Sequence, residues 1–290
     1  MQITDIREQS VAMGAAMRNA VIDFSKMTVS AVAVVTDVMR DGKPVIGYGF
    51  NSNGRYAQGE IIRARLAPRI LALSSEEQQN AAGDNIDPAR LRAAMLQNEK
   101  PGGHGERAVA VAAVEIALWD AAAKIADVPL WRMLGGDEAE SRVFVYAAGG
   151  YYDAEKGILG LVEEVRGYLA QVYTWAKIKI GGASLEEDMR RIEAVLELLG
   201  GDGSRLAVDA NGRFDLQTAL KYSAAMAPYN LRWFEEPGDP LDYELNAEIV
   251  RNYPNAVATG ENLLSLQDAT NLIRHGALRR STDYLQFDPA

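Results

Sequence analysis

No cysteine occurs among the 290 residues, and histidine stands at only two positions. Disulfides, thiolate metal sites and cysteine nucleophiles are thereby excluded. Positive charge is also in deficit: 30 Lys and Arg face 40 Asp and Glu, a formal net charge of −10. Nucleic acid and anionic membranes both reward lysine and arginine, so neither is an expected partner. Long apolar runs are missing too, "AVAVV" (31–35) falling far short of a membrane span. Asp5, Arg7 and Glu8 stand where a signal peptide needs an apolar core. These absences lead to the expectation of a soluble, cytoplasmic protein with one large domain or two ordinary ones.

What is present falls into two regimes. Up to about residue 140 the pattern is a hairpin followed by helices. "TVSAVAVVTDVM" and "KPVIGYGF" flank a turn centred on Asp41-Gly42, and alanine-rich, helix-prone segments run from about 57 to 127, broken at "AAGDN" and "EKPGGHGE". Met13–Ser25 and Asn51–Tyr56 read as loops of mixed polarity, suited to cover something. Beyond 140, six short apolar segments (142–150, 175–182, 205–212, 231–237, 255–262 and 283–289) alternate with amphipathic stretches such as Leu185–Leu199 and Leu216–Met226. Strand and helix alternating in this way mean parallel βαβ units. The predicted organisation is α/β: an α+β capping domain over 1–140 and a (β/α) barrel over 141–290. That barrel is of the eight-stranded, TIM-like type and incomplete here, with strands one to six only. No Gly-x-Gly-x-x-Gly turn opens any of the helices, which argues against a dinucleotide-binding sheet.

A barrel demands chemistry at the C-terminal ends of its strands. Those ends carry Lys177 and Lys179, then Asp209 and Asn211, Glu235 and Glu236, Glu261 and Asn262, and Asp288. Asp209 to Glu235 and Glu235 to Glu261 are each 26 residues (235 − 209 and 261 − 235). Equal intervals predict three carboxylates at equal heights on neighbouring strands. An all-oxygen trio suits Mg²⁺ rather than zinc, and without a cation the acids would raise one another's pKa. Singly, each residue has a plainer role open to it. Asp209 could cap a helix, Glu236 could face solvent, Glu261 could be a loop acid, and two lysines on one strand face usually mean water. The joint spacing outweighs those alternatives.

Lys-x-Lys followed by "VDAN", "FEEP", "GEN" and "QFD" resembles the enolase superfamily in its mandelate racemase subgroup. The stretch "AVAAVEIALWDAAAKIADVPLWRMLGG" (110–136) is similar to the helix and Leu-Gly-Gly stop before the barrel there. The resemblance implies Mg²⁺ on Asp209, Glu235 and Glu261, with Lys179 as the base that removes the proton α to a carboxylate and Lys177 beside it. "GYGFNSNGRY" and "NEKPGGHGE" make the whole chain most similar to the D-tartrate dehydratases. That similarity implies a hydro-lyase turning a hydroxy diacid, D-tartrate, into oxaloacetate. Asn53, Lys100, Asn211 and Glu236 become candidates for contacting the small-molecule substrate, and a homo-oligomer is expected. A sugar-acid dehydratase or a racemase uses the same metal site and stays open. In the subgroup, the aspartate matching Asp288 orients a histidine on a seventh strand. Neither His104 nor His275 matches that partner, so the chain is expected to be truncated before it. These residues alone are then expected to be poorly stable and inactive in dehydration, a metal-binding remnant.

Overall fold

The computed structural model describes residues 1–51, 55–102, 105–138, 140–153 and 155–288. They form two compact units. One takes in Met1–Gly14 and Ser25–Val143, and the other Ala15–Phe24 and Phe144–Asp288. The boundary lies a few residues beyond position 140. Ala15–Phe24, assigned from sequence to the first domain, belongs with the second unit.

The first unit opens on an antiparallel meander of β1 (Ile3–Ala12), β2 (Thr28–Arg40) and β3 (Lys43–Phe50). The β2–β3 hairpin was legible in the sequence, whereas β1 was not. Its register shifts between Ile3 and Asp5, so Ile3 and Ile6 are both buried and the period-two signal is broken. Arg40 pairs with Lys43 around Asp41 and Gly42, both at positive φ, the conformation of a two-residue type I′ turn. The helices are α1 (Gly59–Ile61), continued by a π-helical turn (Ile62–Leu66) into α2 (Ala67–Leu71), then α3 (Ser75–Gln78), α4 (Pro88–Met95), α5 (Gly105–Ala126) and α6 (Leu130–Gly135). Ala113, Ala117 and Ala121 recur every four residues along one buried face of α5. Gly47 and Gly49 of β3 meet that face so closely that an added Cβ would lie 2.0 Å from the Ala117 carbonyl oxygen and 2.3 Å from that of Ala113. The alanines of α5 and the glycines of β3 are one packing solution.

The second unit is a parallel six-stranded sheet in sequence order: β4 (Ala147–Gly149), β5 (Ala176–Lys179), β6 (Leu206–Asp209), β7 (Trp233–Glu235), β8 (Val257–Thr259) and β9 (Tyr284–Leu285). Between the strands run α7 (Gly157–Leu169), α8 (Leu185–Leu198), α9 (Leu216–Met226), α10 (Tyr243–Asn252) and α11 (Leu266–His275). Asp, Ser and Asp side chains cap α9, α8 and α10 at Asp215, Ser184 and Asp242. Alternation along the strands sorts the residues. Ile178, Val208, Phe234 and Val257 enter one apolar cluster with Ile192, Val195 and Ile249 from the helices. Each fully buried side chain of this size contributes about 1.5–3 kcal/mol. The other strand face carries Lys177, Lys179, Asp209, Trp233 and Glu235. Among the described residues this is six strands of a (β/α) barrel, with β4 and β9 as edges.

Candidate active site

The second strand face gathers charge where none can reach water freely. Asp209, Glu235 and Glu236 have no exposed surface, and Lys177 and Lys179 retain only 7% and 6%. Register places Lys179 opposite Asp209 and Asp209 opposite Glu235, so these three residues stand level across β5, β6 and β7. Glu261 departs from the expected equal heights. Glu235 pairs with Ala258 on β8, and Glu261 lies three residues further on, past Gly260. The chain needs that extra length to round the end of the strand, so an identical sequence interval gives a different height. Glu261 is half-buried.

Lysine ammoniums hold the level carboxylates. Lys179 Nζ donates to Asp209 Oδ2 at 2.5 Å. Lys177 donates to Glu235 Oε1 and lies 3.3 Å from the same Asp209 oxygen. Glu235 Oε2 accepts from Trp233 Nε1 at 2.8 Å, and Asp209 Oδ1 accepts from the Asn211 amide at 2.8 Å. Tyr146 and Tyr151 set their rings 5.7 Å from Lys177 and 5.3 Å from Lys179. In the sequence Trp233 reads only as part of the apolar run before Glu235, and Tyr146 and Tyr151 carry no signal of a place in the site. Trp233 stands two residues before Glu235, so the period of a strand already put both on one face.

The charges disturb one another in both directions. Burial would depress Lys177, yet Asp209 and Glu235 outweigh it and hold its ammonium above the usual lysine range. Burial would likewise raise Asp209, but Lys179 and Lys177 hold it below the usual carboxylate range. Burial and then the Asp209 charge push Glu235 up to about 7. Burial and then Glu261 push Glu236 up to about 9. Glu261 is raised as well, by burial first and Asp209 second. Glu236 has positive φ, its Oε1 accepts from Asn262 Nδ2 at 2.6 Å, and its Oε2 is buried without a hydrogen-bond partner among the described residues. Four mutually interacting carboxylates thus share the site with two ammoniums. This all-oxygen, over-negative donor set fits a hard divalent cation. Among the described residues no trio of acidic or histidine side chains is already gathered as an ion cage. One oxygen of Asp209 and one of Glu235 are turned to the lysines instead.

The remaining candidates scatter. Asn211 is half-buried beside Asp209, at positive φ, with Oδ1 buried and unpartnered among the described residues. Asp288 is exposed, and its charge acts on Glu261. Lys100 is exposed in the first unit, where its carbonyl accepts from Arg107. Asn53 lies outside the described residues, as does His104. His275 ends α11, on the chain's return to the N-terminal side of β9. Within Ala15–Phe24, Phe24 packs edge-on against Tyr151 at 5.7 Å, and the Tyr152 amide donates to the Arg18 carbonyl. A segment far away in sequence is therefore fixed beside the residue whose ring faces Lys179.

Two family models match this chain. "Mandelate racemase / muconate lactonizing enzyme, N-terminal domain" covers residues 8–135, and "Enolase C-terminal domain-like" covers 160–290. A racemase from Streptomyces coelicolor A3(2), solved with bound magnesium, superposes with a TM-score of 0.78 at 30% identity, over 95% of this chain and 74% of that one. The chain belongs to the enolase superfamily. Among superfamily relatives, the 3,6-anhydro-alpha-L-galactonate cycloisomerase of Streptomyces coelicolor is 34% identical over 89% of this chain and 66% of its own length. The L-talarate/galactarate dehydratase of Salmonella typhimurium is 30% identical over 90% of this chain and 62% of its own length. Its structure with Mg and L-lyxarohydroxamate gives a TM-score of 0.76 at 26% identity, over 98% of this chain and 69% of that one. The chain spans 61–66% of the length of the first curated relatives it matches.

Proposed function

We propose that the strand-end cluster is a Mg²⁺-dependent site for removing the proton α to a carboxylate, leading to loss of water from a small polyhydroxy acid. The observation that carries this reading is the level row of Lys179, Asp209 and Glu235, with buried acids outnumbering the lysines. Asp209, Glu235 and Glu261 would hold Mg²⁺, which supplies neutralising charge for the carboxylate and enolate oxygens. Once its ion pair with Asp209 has opened and its ammonium has given up its own proton, Lys179 takes the α-proton at its neutral Nζ. The ammonium so formed can pass that proton to the departing hydroxyl, which leaves as water. Lys177, locked to Glu235 and kept protonated, supplies a fixed positive charge beside the substrate carboxylate. Trp233 orients Glu235 through its indole N–H, while the buried walls keep water from the amine. Asn211 offers its free Oδ1 to a substrate hydroxyl, and Glu236 braces Asn262.

For substrate, the named relatives act on aldonic and aldaric acids, which favours a sugar acid. D-tartrate is the narrower reading, supported by the segments around Asn53 and Lys100 alone. A homo-oligomer is part of the proposal and is read by light scattering. The deciding experiment incubates the protein with Mg²⁺ and a panel of hydroxy acids in D₂O: arabinonate, gluconate, galactarate, talarate, and D-, L- and meso-tartrate. Deuterium at the α-carbon of one panel member, lost on chelation of Mg²⁺, is the expected result. No exchange across the whole panel would sink the proposal, and exchange of D-tartrate alone would restore the narrower one.

A further inference from the structure

One buried ion pair takes no part in the chemistry above. Asp188 and Arg191, one turn apart on α8, are 0% and 5% exposed. Asp188 accepts three hydrogen bonds: from the Tyr152 hydroxyl at 2.6 Å, the Tyr222 hydroxyl at 2.8 Å and the Gly181 amide at 2.7 Å. Arg191 stacks on the Tyr152 ring at 4.4 Å and donates to the Gly150 carbonyl at 2.7 Å and the Lys179 carbonyl at 3.4 Å. Burial and then the Asp188 charge raise both phenols, so both stay donors at any working pH. Gly182 has no room for a side chain, since a Cβ there would lie 2.4 Å from the Tyr152 ring. The contacts to the Lys179 carbonyl, the Gly181 amide and Gly182 lie at the turn that leaves β5 immediately after Lys179, and the one to Gly150 ties it to the exit of β4.

A buried ion pair is weak evidence for stability, because desolvating the charges costs about as much as their attraction returns. Its retention at a strand end therefore points to a task. We infer that Asp188 and Arg191 are positioning residues. Together with Tyr152 and Tyr222 they clamp the main chain at the Lys179 carbonyl and the Gly181 amide and so fix where its amine can reach. The inference rests on Lys179 being the base.

The test compares Asp188→Asn and the gentler Tyr222→Phe, which removes one hydroxyl, with the parent chain. Three quantities are read: amide hydrogen exchange of the peptide 176–183, Mg²⁺ affinity by calorimetry, and α-proton exchange of the active panel acid, split into rate constant and KM. The expected result is faster amide exchange confined to 176–183 and a rate constant lowered about 100-fold in Asp188→Asn and about 10-fold in Tyr222→Phe, with KM and Mg²⁺ affinity held within about twofold. A lower melting temperature with an unchanged rate constant per folded molecule would overturn the inference, as would protection lost evenly over all strands. If Asp188→Asn does not fold, the same criteria applied to Tyr222→Phe decide. If the parent chain exchanges no α-proton, the functional proposal falls by itself. Amide protection at 176–183 then decides the clamp: a loss confined to that peptide supports it and unchanged protection overturns it.

Discussion

The two units handle buried charge differently. In the first, many ion pairs lie at the surface, as in Arg40–Asp127, with side chains 46% and 86% exposed, and the covered acids Glu8 and Glu99 each meet arginine. Its interior is bought with alanine against glycine, where β3 touches α5. In the second unit the helix-facing side of the strands is equally apolar, yet the other side buries two lysines among acids that repel one another. Under the proposed function, an arrangement that costs stability persists where it would perform chemistry, beside a region whose side chains serve packing.

The sharpest way to break that comparison is Lys179→Ala. Substrate α-proton exchange should fall roughly 10²–10⁴-fold, the range for loss of a general base. Mg²⁺ affinity measured by calorimetry should survive, since the oxygen ligands remain. Retained exchange would transfer the role to Lys177. The counterpart in the packing region is Gly49→Ala. Its Cβ would meet backbone 2.3 Å away, which a helix cannot evade. We expect a loss of about 1–3 kcal/mol in a denaturant melt, with the Mg²⁺ affinity of the barrel unit unmoved. An unchanged melt would show that β3 and α5 can part without cost.

How far the sequence reached follows the same division. α8 and α9 ended within a residue of the amphipathic stretches read for them, because a helix whose apolar face meets a core writes its period into the sequence. The ends of β5, β6 and β7 were legible because lysines and acids interrupt buried apolar runs there, whereas β4 and β9 are shorter than the segments read for them and Val143–Val145, Tyr284 and Leu285 are exposed. The height of Glu261 was not, since a residue interval counts chain length and not the path around Gly260. Asp188 and Arg191 escaped notice for another reason. They sit among Glu186, Glu187, Arg190 and Glu193, and nothing in a run of charges tells the two buried ones from the solvated ones.

Titration sharpens the comparison next. Glu235 and Glu236 have folded pKa values of about 7 and about 9, above the carboxylate's ordinary 4.5. A raised pKa contributes stability below the unfolded value and loses it as pH climbs through the folded value. Metal-free protein should therefore melt at lower temperature at pH 9 than at pH 5. Asp209, shifted downward, is already ionised throughout that window. Glu236→Gln should flatten the dependence between pH 7 and 9, and Mg²⁺ should restore the parent's stability most at the alkaline end. A parent melting profile level from pH 5 to 9 would mean that water or a counter-ion relieves these acids.

The smallest effect is expected from the exposed pair. Arg40 Nη1 donates to Asp127 Oδ1 at 3.1 Å, and Nη2 reaches the Ile125 carbonyl at 3.4 Å. Both contacts are at the surface, where water competes for every partner and salt screens the charges, so such a pair contributes about 0–1 kcal/mol. Arg40→Ala should therefore shift the unfolding midpoint by about that much or not at all, and the shift should vanish in 1 M salt, where the Debye length is about 3 Å. Lys177→Met is the matched change in the barrel. It leaves Glu235 buried beside Asp209 without its ammonium, so it should cost about 3–5 kcal/mol in metal-free protein at neutral pH, with little relief from salt. Equal costs for the two variants would mean that burial makes no difference to an ion pair in this chain, and the contrast between the units would reduce to where the residues happen to lie.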